Sequence, residues 1–160
     1  MQTLIETLVK QGKTLSTCES FTGGLFAAKL TAVPGASRVY FGSIVAYSSF
    51  VKTQLVHVDA ALIESYGTIS PQAVIAMAEN TRTLFQTDLA IAFSGNAGPD
   101  AIEGKPAGLW YGALADGQAT RVFGGISNLS RNELREAACR EGEKILLDWL
   151  RNTSSHHINR

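Results

Sequence analysis

Residues 89–93, Leu-Ala-Ile-Ala-Phe, form an unbroken apolar run. A strand with one face in water alternates apolar and polar positions. A run without a polar position needs cover on both faces, as central strands of helix-covered sheets do. The rest of the chain must then supply helices above and below a sheet. Leu4, Ile5, Leu8 and Val9 share a helical stripe that ends at Gly12, and Thr14–Cys18 reads as a short strand. A helix is expected through Leu25, Ala28 and Leu30, stopped by Pro34-Gly35, followed by a strand from Val39 to Ala46. Residues 48–55 suit a short helix, and Asp59 caps another that reaches Tyr66. Ser70-Pro71 is a strong helix start, a cap residue followed by proline at the first helical position. That helix runs to about Phe85, with Val74, Met77, Ala78 and Thr81 inward. After a loop from Ser94 to Lys105, strands Leu109–Ala115 and Ala119–Gly125 meet at Asp116-Gly117, a hairpin turn signal. The last helix begins near Ser130 and runs to Leu150 on a stripe of Leu134, Ala137, Ala138, Ile145 and Trp149. The expectation is an α/β fold, a three-layer α/β/α sandwich with a mostly parallel mixed sheet.

With 160 residues, 45% hydrophobic and 18% charged, the chain suits one domain over residues 1–152, with 153–160 as a flexible polar tail. Fourteen basic and fourteen acidic side chains cancel, and no long basic run occurs, which argues against nucleic acid as partner. Cys18 and Cys139 lack zinc-ligand spacing and read as small buried apolar residues, so no metal site is expected. Nothing resembles a signal peptide, and no apolar run approaches the ~18 residues of a membrane span. These features predict a cytoplasmic protein without a membrane partner.

Chemistry concentrates in three segments. Glu19-Ser20-Phe21-Thr22-Gly23-Gly24 joins a strand to a helix. Ser20 is there either an ordinary helix cap or a nucleophile, with backbone amides at the helix start ready for an oxyanion. His57 is the internal histidine and no motif surrounds it, so a lysine is the better base. Lys52, five residues after Tyr47, serves if burial lowers its pKa. On one continuous helix the two would point about 140° apart. If Tyr47 ends a strand, both can face one cleft; otherwise they are a strand-end tyrosine and a surface lysine. Ser94-Gly95-Asn96-Ala97-Gly98-Pro99 follows the central strand as a possible backbone nest for phosphate. Arg131 and Arg135, about one turn apart, can together grip a phosphate or simply face solvent.

Together these segments resemble the CinA C-terminal domain family of competence/damage-inducible proteins over about residues 3–150. Its members show Glu-Ser-Cys/Leu-Thr-Gly-Gly, Val-Ala-Tyr-Ser-Asn-x-x-Lys, a Val-Ser near a helix start and Thr-Gly-Ile-Ala-Gly-Pro. Here they read Glu19 to Gly24, Val45-Ala46-Tyr47-Ser48-Ser49-Phe50-Val51-Lys52, Ile69-Ser70 and Ser94 to Pro99. The family includes nicotinamide mononucleotide deamidases. The resemblance therefore implies hydrolysis of that nucleotide to nicotinic acid mononucleotide and ammonia, without metal or organic cofactor. Ser20 would be nucleophile, Lys52 base and Tyr47 its partner. Gly23 and Gly24 would supply backbone donors, and Arg131 or Arg135 would take the phosphate. Glu19, Thr22, Ser94, Gly95, Asn96, Ala97 and Gly98 would complete the substrate site. Self-association is also implied, as is a stand-alone form lacking the larger N-terminal domain of longer relatives.

Several positions depart from the family pattern. Phe21 follows the nucleophile, Asn96 replaces an apolar residue, and Leu129-Ser130-Arg131 replaces Gly-Asp-Arg. Asp100-Ala101-Ile102-Glu103-Gly104-Lys105-Pro106 stands where the family has Gly-Gly-Thr. Two other readings stay open: a nucleotide-binding or regulatory relative without turnover, and an amidase with another substrate.

Overall fold

A computed structural model describes residues 1–155, without the side chains of 154 and 155. The elements in chain order are α1 (Gln2–Gln11), β1 (Leu15–Glu19), α2 (Leu25–Thr31), a 3-10 turn (Ala36–Arg38), β2 (Tyr40–Val45), α3 (Ser49–Gln54) and α4 (Ala60–Tyr66). Then come α5 (Pro71–Phe85), β3 (Leu89–Gly95), β4 (Leu109–Ala115), β5 (Thr120–Ile126) and α6 (Arg131–Ser155). The strands lie in the order β2-β1-β3-β4-β5. β1 is parallel to β2 and β3; β4 is antiparallel to β3 and β5. Four of the five strands therefore run the same way, and the expected α/β class with a mixed, mostly parallel sheet is what forms.

The central run explains the layering. Leu89, Ile91 and Phe93 enter one core with residues of α1, α2 and α6, among them Leu4, Leu8, Phe26, Leu30, Leu134 and Leu146. Ala92 points the other way, into a second core with Cys18, Ala113, Ala115 and the Val74, Met77 and Ala78 face of α5. The sheet is thus bulky toward α6 and small toward α5, so each helix meets a complementary surface. Burying a large aliphatic or aromatic side chain in such a core is worth about 1.5–3 kcal/mol. On α6, Gly142 is bare because the Phe93 ring lies against it: an added Cβ would stand 2.6 Å from the ring.

The helix ends follow the local signals. Ser70 accepts the Ala73 amide at 3.1 Å with Pro71 behind it, Asp59 accepts the Ala61 amide at 2.9 Å, and Gly12 closes α1 in the left-handed region. Two details differ from expectation. The second hairpin strand starts at Thr120 rather than Ala119; the turn is closed by the Asp116 amide on the Ala119 carbonyl at 3.2 Å and by the Asp116 carboxylate, which accepts the Gln118 and Ala119 amides. The buried stripe of α6 is Leu134, Ala138, Cys139, Ile145, Leu146 and Leu150, while Ala137 and Trp149 stay half-buried. α6 also continues to Ser155, past Leu150. The expected tail thus begins as helix, and from residue 156 it lies outside the described residues.

The strand order places the site. From β1 the chain moves outward to β2, and from β3 it moves the other way to β4. The carboxyl ends of β1 and β3 therefore form a topological switch point, where adjacent connections diverge and leave a crevice. Ser20 and Ser94 sit there side by side, because Glu19 pairs with Phe93 and the Ser20 amide donates to the Phe93 carbonyl at 2.9 Å.

Candidate active site

Ser20 leaves β1 in a tight turn. Lys52 reaches it from α3, whose start is set by Ser48 accepting the Val51 amide at 3.3 Å. β2 ends at Val45, so Tyr47 and Lys52 fall on either side of a chain reversal. Lys52 turns inward and is 2% exposed; Tyr47 turns outward and is 61% exposed. The Lys52 Nζ lies 3.0 Å from Ser20 Oγ and donates to the Ala46 carbonyl at 2.7 Å. Burial pushes the Lys52 ammonium below its ordinary value by removing water from the charged form; the Cys18 thiol and the Glu103 carboxylate act the opposite way. The Cys18 thiol is itself pushed up to about 12, chiefly by burial, so it is uncharged near neutrality. A buried amine biased toward neutrality and in contact with a serine hydroxyl is the arrangement of a base and its nucleophile.

Three expected roles are corrected by the geometry. Tyr47 does not touch Lys52: its hydroxyl accepts from Arg131 Nη2 at 3.0 Å. Glu19 is no ligand contact. It is fully buried, and its carboxylate accepts the amides of Gly24 (3.0 Å), Phe26 (3.1 Å) and Ala27 (2.8 Å), satisfying the N-terminus of α2. Gly23 and Gly24 have no amides to offer, since Gly23 donates to the Ser20 carbonyl at 2.9 Å and Gly24 to Glu19. Among the described residues, the amides left without an acceptor in this turn are those of Phe21 and Thr22. The Thr22 hydroxyl is likewise buried and unpartnered among them.

The arginines flank the turn from α6. Arg131 donates to the Gly98 carbonyl at 2.7 Å; Arg135 donates to the Thr22 carbonyl at 2.8 Å and to Asn132 at 3.1 Å. Among the described residues neither pairs with a carboxylate. Arg131 thus has no ion-pair partner among them, while Arg135 lies near enough to Glu136, itself paired with Lys29, to act on that carboxylate. The Gly-rich segment is ordered from within. Asn96 is buried; its amide nitrogen donates to the Asp100 and Lys105 carbonyls, and its oxygen accepts the Gly98 amide. Gly95 packs so closely on Trp110 that a Cβ would stand 2.6 Å from it, and Ala97 is half-buried. Ser94 is buried and donates to the Thr68 carbonyl at 2.6 Å.

A cavity of about 380 Å³ adjoins Arg131, between Gly98, Pro99, Ser127 and Ser130. A larger cavity, about 1380 Å³, opens at the opposite end of the sheet among Lys13, Arg82, Asp88 and Asp116; neither cavity is lined by Ser20 or Lys52. The smaller opening is the candidate for substrate because Arg131 and the Ala97–Pro99 segment that follows β3 line it, at the end of the sheet where Ser20 leaves β1. Sequence reasoning missed Thr68, Glu103 and Lys105, which join this site from distant segments. No local pattern marks them.

A family model of the CinA C-terminal domain matches residues 1–151. A relative in Listeria welshimeri named as a competence-damage inducible protein is 38% identical over 144 residues, 89% of this chain. A protein of the same name from Oceanobacillus iheyensis is 38% identical over 154 residues, 94% of the chain. The chain spans only 35% and 36% of their lengths. Among solved structures, a CinA superfamily protein from Klebsiella pneumoniae superposes with a TM-score of 0.91 at 28% identity, covering 94% of this chain and 95% of that one. A competence or damage-inducible protein from Enterobacter asburiae gives 0.89 at 29% identity, covering 92% and 93%. The family model over residues 1–151 and the relatives at 38% identity agree with the switch-point fold, and the chain belongs to the CinA C-terminal domain family.

Proposed function

We propose that this domain is an amidohydrolase that converts nicotinamide mononucleotide to nicotinic acid mononucleotide and ammonia. The observation that carries the reading is the buried contact of 3.0 Å between Lys52 Nζ and Ser20 Oγ. Neutral Lys52 takes the Ser20 proton, and the alkoxide attacks the carboxamide carbon. The Phe21 and Thr22 amides are the donors free to meet the oxyanion. Collapse of the tetrahedral species expels ammonia, with Lys52 returning the proton. Water, deprotonated by Lys52, then cleaves the acyl-enzyme and frees Ser20. Arg131 and Arg135, without carboxylate partners, suit the phosphate. Tyr47 holds Arg131 at the rim rather than serving the lysine.

The test is ammonia release from nicotinamide mononucleotide by wild type and by Ser20→Ala. Release by wild type alone is expected; equal release by both removes Ser20 from the mechanism. The loop at 100–106, in place of the family's Gly-Gly-Thr, favours a second reading in which the pocket binds a nucleotide without turnover. A nucleotide that raises Tm and is never consumed identifies that case. We further expect self-association through the open β2 edge, where Phe41 is 55% and neighbouring Phe50 72% exposed. A monomeric mass in sedimentation at micromolar concentration overturns that expectation.

A further inference from the structure

The loop from Asp100 to Pro106 ends in a tight hairpin. Ile102 and Lys105 exchange backbone bonds of 3.0 and 2.9 Å, and Glu103 (φ 55°) and Gly104 (φ 70°) turn between them in the left-handed region. The tip drives two side chains into the segment before α5. The Glu103 carboxylate accepts the Thr68 amide at 2.8 Å and its hydroxyl at 2.6 Å. The Lys105 ammonium donates to the Tyr66 and Ile69 carbonyls. Gly67 has no side chain beneath them, and a Cβ there would stand 2.4 Å from Glu103 Oε2 and 2.7 Å from Lys105 Nζ. The clamped Thr68 carbonyl in turn receives the Ser94 hydroxyl at 2.6 Å. Ser94 follows Phe93, whose carbonyl accepts the Ser20 amide at 2.9 Å. Hydrogen bonds therefore run from Glu103 through Thr68 to Ser94, the residue next to the one that binds the Ser20 amide.

We propose that Glu103 is a positioning residue of this site, which holds the Thr68–Ser94 relay beside Ser20 and presents its carboxylate to Lys52. The inference rests on the amidase reading. With its proton committed to Thr68, the Ser94 oxygen keeps acceptor capacity only. It suits an N–H of a carboxamide and is a poor neighbour for the carboxylate of a product. The charged groups around Lys52 leave Glu103 as the anion that acts on it. Cys18, from β1, is uncharged near neutrality; Glu19 is turned into α2; Arg131 and Arg135 lie at the rim; the Lys105 ammonium is held on the Tyr66 and Ile69 carbonyls. An anion near an ammonium favours the charged form, so Glu103 restrains how far burial neutralises Lys52.

The experiment compares wild type with Glu103→Gln by two readouts: kcat and KM on nicotinamide mononucleotide, and the pH dependence of Ser20 labelling by a fluorophosphonate probe, which needs no substrate. The expected result is an acid limb of labelling displaced to lower pH, because the lysine loses its anion. kcat falls about tenfold, the scale of one displaced charge-assisted hydrogen bond, and KM changes less than twofold. Thr68→Val should lower the labelling rate without moving the limb. An unmoved limb with unchanged labelling in folded Glu103→Gln overturns the proposal, as does wild-type Ser20 that resists the probe at every pH. If wild type labels but releases no ammonia, the amidase reading fails while the limb still decides the role of Glu103. Should Glu103→Gln not fold, Thr68→Val decides: slower labelling supports the relay and an unchanged rate overturns it.

Discussion

The Ser20–Lys52 pair and the Tyr47–Arg131 pair flank the same switch point and are built in opposite ways. The first is buried, at 7% and 2% exposure, and its members meet at 3.0 Å. The second also meets at 3.0 Å, but in water, with Tyr47 61% exposed. Equal distances carry different consequences. In the low dielectric of the interior, a proton's position on the first pair is set by the protein, and little rearrangement precedes reaction. On the rim, solvent screens the contact, and a phosphate can replace Tyr47 or a carbonyl as the arginine's partner. Reactivity is thus pre-set inside, and recognition is left adjustable outside.

Mutations can break that contrast. Ser20→Ala should have the largest effect, a loss of kcat on the order of 10⁴-fold or more with Tm nearly unchanged. Retained turnover would place the nucleophile elsewhere. Lys52→Met should cost on the order of 10³-fold and abolish the acid limb of the pH–rate profile. In wild type that limb should titrate below the ordinary lysine value of 10.5. The stability sign follows from the same shift. The unfolded chain holds the Lys52 proton more tightly than the folded one, so stability should rise with pH between the folded value and 10.5, relative to Lys52→Met. Urea titrations at several pH values check this; a parallel pair of curves denies the depressed lysine.

Glu19→Gln tests whether burial alone makes a catalytic group. It should lower stability by about 1.5–3 kcal/mol through the lost charge-assisted cap of α2, with kcat per folded molecule within a few-fold of wild type. A collapse of kcat in a stable variant would return Glu19 to the chemistry. Arg131→Ala and Arg135→Ala should each raise KM about tenfold with little change in kcat, as for a contact made equally in ground and transition states. Unchanged KM in both removes the phosphate from this rim. The smallest effect is expected from Tyr47→Phe, a change in KM of about threefold or less. A hundredfold fall in kcat would show that Tyr47 swings to Lys52 when substrate binds, which sharpens the distinction between resting and bound rims.

Much of the fold was legible because local rules and burial agree. The unbroken run Leu-Ala-Ile-Ala-Phe anticipates a strand covered on both faces, while the two unlike cores that its large and small residues feed emerge only in the structure. Ser70-Pro71, Asp59 and Gly12 mark helix ends because the groups they satisfy lie within a few residues. The reactive pair was legible through the motif resemblance, but its partners were not. The resemblance implies Tyr47 as the partner of Lys52, whereas Ala46 takes the Lys52 ammonium on its carbonyl and the Tyr47 hydroxyl meets Arg131. Gly23 and Gly24 suggest free amides; Glu19 and the Ser20 carbonyl take those amides instead.

By itself, then, the sequence determined the elements, the layered class, and the candidates Ser20, Lys52, Arg131 and Arg135. Each depends on periodicity, caps or motif spacing, which act over short stretches of chain. Only the tertiary structure decided which groups are free to act. Lys52 is a base candidate because folding strips its water, and Glu19 is a helix cap because three amides reach it first. Glu103 joins the site across 35 residues through Thr68. Desolvation and hydrogen-bond competition are properties of neighbours in space, and no local pattern of residues encodes them.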